Sequence, residues 1–591
     1  MGGNQMTSRR KRWGAALAVA IAASTVATST QAAGNKPAAK SKYGGEVTVG
    51  IGDTFPGFCV SNIPNHTALG GFRLIYEQLF ERSTTGEYVG ALAESGKPNA
   101  TFTQYTIKLR PNIKFHSGEA FDAAAVKLNI DLNAGLYNVE NPSADVEFVT
   151  ALKGFLSTGI GVNANIAKVT VVDPLTLTID LSRPQNDFLG VLYRAGRNVM
   201  RAPSQLMDLT TKKRNPQCSN IAIGTGPFKL ESWNTDTLSV TKNTEYWRTN
   251  PANGEKLPYL DKVTFINIKE GSQRAAAVRS GTVDAASFDL GAGTFIKDLM
   301  QRKSQVTGYK AQTLWWGQWV PNILKTDSIF RFKNCRLGVA YAIDWKAYNT
   351  VRVKGLGDYS GSIVSKGHPM YTLQGAPKYD VAKAKQYVAA CKQDLGGKDP
   401  GWALYADTST QSQNNTKFVR SYLEKAGFVM ENTYVAEAGT LIGLIYGGPV
   451  TKMTLTQGTP AEGGDSAYVE MFFRSSAFPA SSKSPVAATT WGKSYNKVIA
   501  LGNHTDAKMD ELIDAAQAAP TKAAANAKWR EMSTYAMSEG YLIPTVHTNF
   551  YTFVNNKSKL GGIGKLQITK GKTPQTVTNK GLDWTGIWKQ G

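Results

Sequence analysis

Three indoles fall within five residues, at Trp315, Trp316 and Trp319, and two carboxylates, Glu462 and Asp465, lie in the glycine-rich stretch from Gln457 to Phe473. Indoles offer wide, rigid, amphipathic faces on which a ligand group can stack. A carboxylate held away from water is what a desolvated ammonium requires, so these acids favour a cationic or amine-bearing ligand. Each pattern also has a structural reading. Alternation suits burial of Trp315 and Trp319 in a core, with one indole face left for a ligand, and the two acids suit a solvated loop. The histidines, His66, His116, His368, His504 and His547, show no metal-ligand spacing and none adjoins a cysteine. A lone chelate contact from His368 or His504 is the most they offer, and no metal site or cofactor is expected. No Gly-x-Ser-x-Gly, no His-Glu-x-x-His and no phosphate-cradling glycine loop occurs. The chemistry is that of binding. A secreted hydrolase remains the rival, because glycosidase carboxylate pairs are distant in sequence and leave no motif.

The amino terminus places this chemistry outside the cytoplasm. Arg9 to Arg12 form a positive cluster, Trp13 to Val26 are small and apolar, and Thr30-Gln31-Ala32 offers a small-x-small cleavage site. Residues 1–32 therefore read as a signal peptide, with Ser8-Arg9-Arg10 a partial match to a twin-arginine signal. No cysteine adjoins the cleavage site for a lipid anchor, so the protein is expected to be exported and extracellular or envelope-associated by means the sequence leaves open. Residues 33–42 read as a small, basic linker. Cys59, Cys218, Cys335 and Cys391 suit an oxidising compartment and two disulfides, with three pairings possible. The formal net charge is +22, of which the leader holds four positive residues and no acid. The basic residues are dispersed, which argues against a nucleic-acid face and fits loose association with an anionic envelope. An anionic ligand is permitted by this charge but not implied.

Strands and helices alternate irregularly, giving a mixed α/β (α+β) pattern, and the length after the leader exceeds one hydrophobic core. Glu46 to Ile51 alternates as a half-buried strand. Gln104 to Leu109 and Ile113 to His116 read as strands around a Pro111-Asn112 turn, and Asp122 caps a helix from Ala123 to about Asn133. Lys168 to Leu181 reads as a hairpin. Phe228 begins a strand, Thr237 to Lys242 returns beside it, and Val263 to Ile268 follows. Helices are expected over Gly271 to Ser280, Phe332 to Trp345, Val381 to Lys392, from Asn414 or Asn415 to Lys425, Asp506 to Ala516 and Lys522 to Ser538. Gly281 and Gly427 should end two of them. Leu542 to Val546 reads as a strand.

Gly224-Thr225-Gly226-Pro227-Phe228, followed by Asn243, Tyr246, Trp247, Pro251, Leu260 and Asp261, resembles the signature of family 5 solute-binding proteins, the oligopeptide-, dipeptide- and nickel-binding group serving ABC importers. Tyr105 to Val126 resembles the family's second signature, a strand, an Arg-containing turn, Phe-His-x-Gly and a helix, with Ala125 where an acid is usual. Gly281 to Asp284, then Arg336 with Ala342-Ile343-Asp344, continue the order. The resemblance spans about Tyr43 to Val554.

It implies a two-lobed clamshell of the periplasmic-binding-protein type. Lobe one would take 43–310 and 541–591, with a subdomain at about 86–200, and lobe two 311–540. Cys59 and Cys218 then belong to one lobe and Cys335 and Cys391 to the other, which implies pairing within lobes. Three segments should face the cleft: Phe58-Cys59-Val60-Ser61-Asn62, Leu314 to Trp319, and the Gln457 to Phe473 loop. The ligand-contact candidates are therefore Cys59, Ser61, Asn62, Trp315, Trp316, Trp319, Glu462 and Asp465. Glu462 stands where peptide binders keep an ammonium-anchoring Asp, and Gly458-Thr459-Pro460 replaces the usual tryptophan ahead of it. The implied function is capture of a solute, a short peptide first and then an oligosaccharide, a chelate or another small metabolite. A monomer would deliver it to the permease subunits of an ABC importer, with nothing turned over. A secreted carbohydrate binder of the same fold, and a sensor or chaperone delivering solute to a receptor, are the readings that keep the architecture. If Glu462 or Asp465 anchors an ammonium, its change to Ala is predicted to weaken binding by a few kcal/mol. Calorimetry tests this, and unchanged affinity in both variants contradicts the anchor.

Overall fold

The computed structural model describes residues 41–59, 68–134, 136, 165–193, 196–208, 210, 213–310, 317–323, 325–437, 440–441, 444, 453–457, 474, 506–547, 549–574 and 581–590. Its largest sheet has seven strands, in the order Phe228–Trp233, Thr237–Lys242, Lys262–Asn267, Glu46–Ile51, Ala285–Phe288, Tyr551–Asn555 and Val306–Lys310. Glu46–Ile51 lies parallel to both of its neighbours, with Val47 beside Val263 and Val49 beside Ala285. Parallel neighbours need a crossover. The helix Gly271–Ser280 supplies it between Lys262–Asn267 and Ala285–Phe288, and Gly281 ends that helix at φ 89°. Alternation in Glu46–Ile51 buries Val47, Val49 and Ile51, as the sequence pattern requires.

The residue types in the stretch after Gly224 are explained by one buried acid. Glu77 is 9% exposed, and its carboxylate accepts hydrogen bonds from Thr225 Oγ1 at 3.0 Å, Tyr246 Oη at 2.7 Å and Trp247 Nε1 at 2.9 Å. Burial pushes the Glu77 carboxyl above its usual range, and the three donors pull it back. Gly226 is needed for a different reason. A Cβ there would lie 2.4 Å from Leu74 O, because the backbone presses against the end of the helix Leu69–Ile75.

A four-stranded antiparallel sheet runs Ala93–Pro98, Gln104–Leu109, Thr176–Leu181 and Ile166–Asp173. It is covered by the helix Ala123–Ala134, whose first turn is capped by Asp122 Oδ1 accepting from Ala125 N at 2.8 Å. The expected strand Ile113 to His116 is reduced to a single bridge, Lys114 with Ala120, because the chain turns again at Gly118.

Beyond Lys310 the chain builds a separate three-stranded sheet, Leu455–Gln457, Gln318–Pro321 and Ile543–Pro544. Helices Lys333–Ala342, Val381–Asp394 and Thr410–Ala426 pack together beside it. The expected helix Phe332 to Trp345 is two helices. The first ends at Ala342, Ile343 is extended, and Asp344 caps a second, Trp345–Val351. The helix expected from Asn414 or Asn415 begins at Thr410, because Ser409 Oγ accepts from Ser412 N and sets the start one turn earlier. Leu542 to Val546 pairs only over Ile543–Pro544. The chain thus passes from the large sheet to the small one after Lys310 and returns before Tyr551. The two passages lie side by side, with Thr545 N donating to Gly317 O at 2.7 Å.

A second contact joins distant parts of the chain. Helices Ala507–Gln517 and Lys522–Ser538 pack in the same apolar cluster as the four-stranded sheet. Asn186 Nδ2 donates to Ala516 O at 3.0 Å and Ala519 O at 2.9 Å, closing the end of the first helix. No described helix is long and apolar enough to cross a membrane.

The acid cage yields a direct prediction. Tyr246→Phe removes one donor from a buried carboxylate and should lower unfolding free energy by roughly 1–3 kcal/mol. Denaturant titration reads the change, and a variant as stable as the parent contradicts the cage.

Candidate ligand-binding site

A cavity of about 1350 Å³ opens where three remote segments meet. The volume exceeds the ~300–1,000 Å³ usual for small-molecule pockets, so a short chain of residues fits. Arg82, Thr84, Thr85 and Gly86 form one wall. They sit in a tight connection between strands Phe80–Arg82 and Tyr88–Gly90, where Gly86 takes φ 80° and its N–H donates to Ser83 O at 2.9 Å. Arg82 is only 5% exposed.

The second wall is the irregular segment from Gly357 to Tyr371. Asn349 clamps its start, donating from Nδ2 to Gly357 O at 2.9 Å and accepting from Gly357 N at 3.1 Å. Asp358 and His547 exchange backbone hydrogen bonds at 3.1 and 2.8 Å, tying this segment to the returning passage. Further along, His368 Nδ1 accepts from Met370 N at 3.1 Å, so this nitrogen serves the turn. Among the described residues no cluster of His, Cys, Asp and Glu could hold a metal ion. The third wall is one face of the helix Lys522–Ser538, which presents Lys522, Asn526 and Arg530 at i, i+4 and i+8. Thr521 caps that helix, its Oγ1 accepting from Ala524 N at 3.2 Å.

Ser360, His547 and Asp358 lie close together, and their hydrogen bonds decide against a nucleophile. Ser360 Oγ donates to Val364 O at 2.8 Å, so its proton is committed to the backbone. His547 Nε2, 2.8 Å away, then donates to Ser360 Oγ instead of accepting from it. Asp358 turns to Asn549 Nδ2 at 3.1 Å and Lys310 Nζ at 3.5 Å. A general base must accept the nucleophile's proton, and this arrangement runs the other way. Burial lowers the His547 pKa from 6.5 to about 4, with Asp358 opposing the shift, which keeps the ring neutral. Gly317 must lack a side chain here, since a Cβ would come within 2.8 Å of His547 Nδ1.

The ligand-contact candidates from the sequence are placed unevenly. Cys59 is bonded to Cys218 and is 1% exposed, while Cys335 is bonded to Cys391. Arg201, itself 1% exposed, donates from Nε to Phe58 O at 2.7 Å and from Nη2 to Cys59 O at 3.1 Å, fixing the loop at its buried end. Trp319 is 5% exposed, with its ring edge-to-face on Trp345 at 5.2 Å between centroids. In this structure Cys59 and Trp319 are thus covered by packing. Ser61, Asn62, Trp315, Trp316, Glu462, Asp465 and His504 lie outside the described residues. Reading the sequence missed the cationic wall. Only the i, i+4, i+8 spacing of Lys522, Asn526 and Arg530 was visible along the chain, and it resembles any solvated helix face.

The model of bacterial extracellular solute-binding proteins, family 5, matches residues 87–479. The chain belongs to this family. A glutathione-binding protein, GsiB, of Salmonella paratyphi A is 30% identical over 242 residues, covering 41% of this chain and 42% of the relative. The chain therefore matches less than half the length of that curated relative. Among solved structures, the Helicobacter pylori periplasmic binding protein DppA, in complex with the peptide STSA, superposes with a TM-score of 0.72 at 18% identity. That superposition covers 93% of this chain and 99% of DppA. The binding protein AgaA of A. tumefaciens R10, in complex with agropinic acid, gives 0.70 at 18% identity, covering 93% and 99%. These similarities establish the two-lobed fold of family 5, whose members bind solutes and are not enzymes.

His547 gives a pH prediction. Its folded pKa lies below the unfolded value, so the unfolded chain takes the proton first as pH falls. The contribution to stability is complete above pH 6.5 and is lost between 6.5 and about 4. The loss should be on the order of 3 kcal/mol, and His547→Gln should remove that part of the acid limb. Unfolding curves at stepped pH test this, and an unchanged acid limb in the variant contradicts it.

Proposed function

We propose that this protein is the extracytoplasmic solute-binding component of an ABC importer, capturing a short peptide between two lobes and handing it to the permease subunits. The observation that carries the reading is the cavity of about 1350 Å³, walled by segments from opposite ends and the middle of the chain, in a member of family 5. A solute touching all walls stabilises the closed arrangement by its differential contacts, so binding energy sets the open–closed population. The lobes are taken as 43–310 with 541–591, carrying a subdomain at about 86–200, and 311–540. The two adjacent passages near Gly317 and Thr545 serve as the hinge. Residues 1–32 direct export, and the mature protein acts as a monomer at the cell envelope.

A peptide is favoured because the curated relative is a glutathione-binding protein and the DppA structure holds a peptide. Within the cleft, Trp315 and Trp316 supply stacking faces, Ser61 and Asn62 supply polar contacts from the first loop, and Glu462 or Asp465 receives the ligand ammonium. Cys59 and Trp319 then act one layer behind, holding the loops that carry these groups.

Thermal unfolding with graded di- to pentapeptides and, separately, oligosaccharides tests the reading. A saturating peptide at a hundred times its Kd should add about 2.7 kcal/mol of stability, with one site and no product formed. Saturation by an oligosaccharide without any response to peptides contradicts the peptide assignment. Turnover of any ligand contradicts the binding function itself.

A further inference from the structure

The cavity's charge says more about the solute than the fold does. Among the described residues, five cationic side chains line it, Arg82, Lys310, Lys366, Lys522 and Arg530, against one carboxylate, Asp358. That carboxylate is already engaged by Lys310 at 3.5 Å and by Asn549 at 3.1 Å. Lys366, Lys522 and Arg530 are exposed and, among the described residues, form no ion pair. Glu87, the acid that feels Lys522, is itself paired with Lys572. Like charges gathered around one concavity repel one another and focus a positive potential into it. An anion that enters relieves the repulsion and gains charge-assisted hydrogen bonds.

We propose that the bound solute is an acidic short peptide carrying at least two carboxylates, and that Lys366, Lys522 and Arg530 select it. This rests on the solute-binding reading and narrows it to a charge class. Lys522 and Arg530 stand eight residues apart on one helix face, about 12 Å along the axis. In an extended peptide rising about 3.3 Å per residue, carboxylates three to four residues apart, a terminal carboxylate included, span a comparable length. Lys366 approaches from the facing segment, so the peptide is held from two sides.

Calorimetry on the full mature protein at low salt tests the proposal with triglutamate, trialanine, trilysine and citrate. Triglutamate is expected to bind at least tenfold more tightly than trialanine, with trilysine silent and affinity falling as salt rises. Lys522→Glu and Arg530→Glu should each weaken triglutamate by roughly three- to tenfold, with no change in the unliganded melting midpoint, because both side chains are exposed. Lys528→Glu, on the same helix but outside the cavity, should leave affinity unchanged. Trialanine or trilysine binding as tightly as triglutamate overturns the charge selection while leaving solute binding intact. Citrate binding without triglutamate overturns the peptide class but supports the cationic wall. Failure of both acidic probes overturns the proposal, and whether the protein still binds a solute is then read from the neutral and basic probes.

Discussion

The structure depends on a pairing between distant strands: Tyr551–Asn555 is inserted between Ala285–Phe288 and Val306–Lys310 in the large sheet. A chain that returns to its starting sheet after some 240 residues must leave it and come back, and the two passages must lie near each other. Gln318 pairs with Pro544, and Trp319 with Ile543, just where these passages meet the smaller sheet. Two adjacent passages at this point tie the large sheet to the smaller one. The segments walling the cavity come from before, between and after these passages in the chain.

The Glu77 cage shows why the stretch after Gly224 was legible at all. Thr225, Tyr246 and Trp247 are spaced irregularly along the chain, yet all three donors reach one carboxylate. A buried carboxylate without donors is costly, so residue types at these positions are constrained by chemistry and read as a signature. Helix ends were legible for the same reason. Asp380, Asp506 and Thr521 cap helices, and Gly281 and Gly427 end them, because unpaired amides and left-handed residues admit few side chains. The misreadings also follow local chemistry. The sequence places Asp344 near the end of one helix, whereas it caps the next, since a cap and a terminus share residue types.

The binding site was far less legible. Its cationic wall is assembled from Arg82, Lys366, Lys522 and Arg530, which are separated by up to several hundred residues, and the sequence displays them as scattered positive charge. The aromatic cluster was visible, but periodicity could not tell which indole faces inward. Trp319 went to the core against Trp345, in keeping with the buried strand Gln318–Pro321. Local constraints such as caps and buried donors leave marks in sequence, whereas convergence of remote segments on a cavity leaves almost none.

Solute capture is the central claim, and native mass spectrometry of the protein purified gently from its own secretion pathway tests it most directly. Denaturing the same sample then releases any bound molecule for identification. The account predicts a single bound equivalent, recovered as a short acidic peptide or a narrow ladder of them. Recovery of an oligosaccharide or a cationic metabolite would contradict the assigned solute class, and a chemically converted product would contradict a function of binding without turnover.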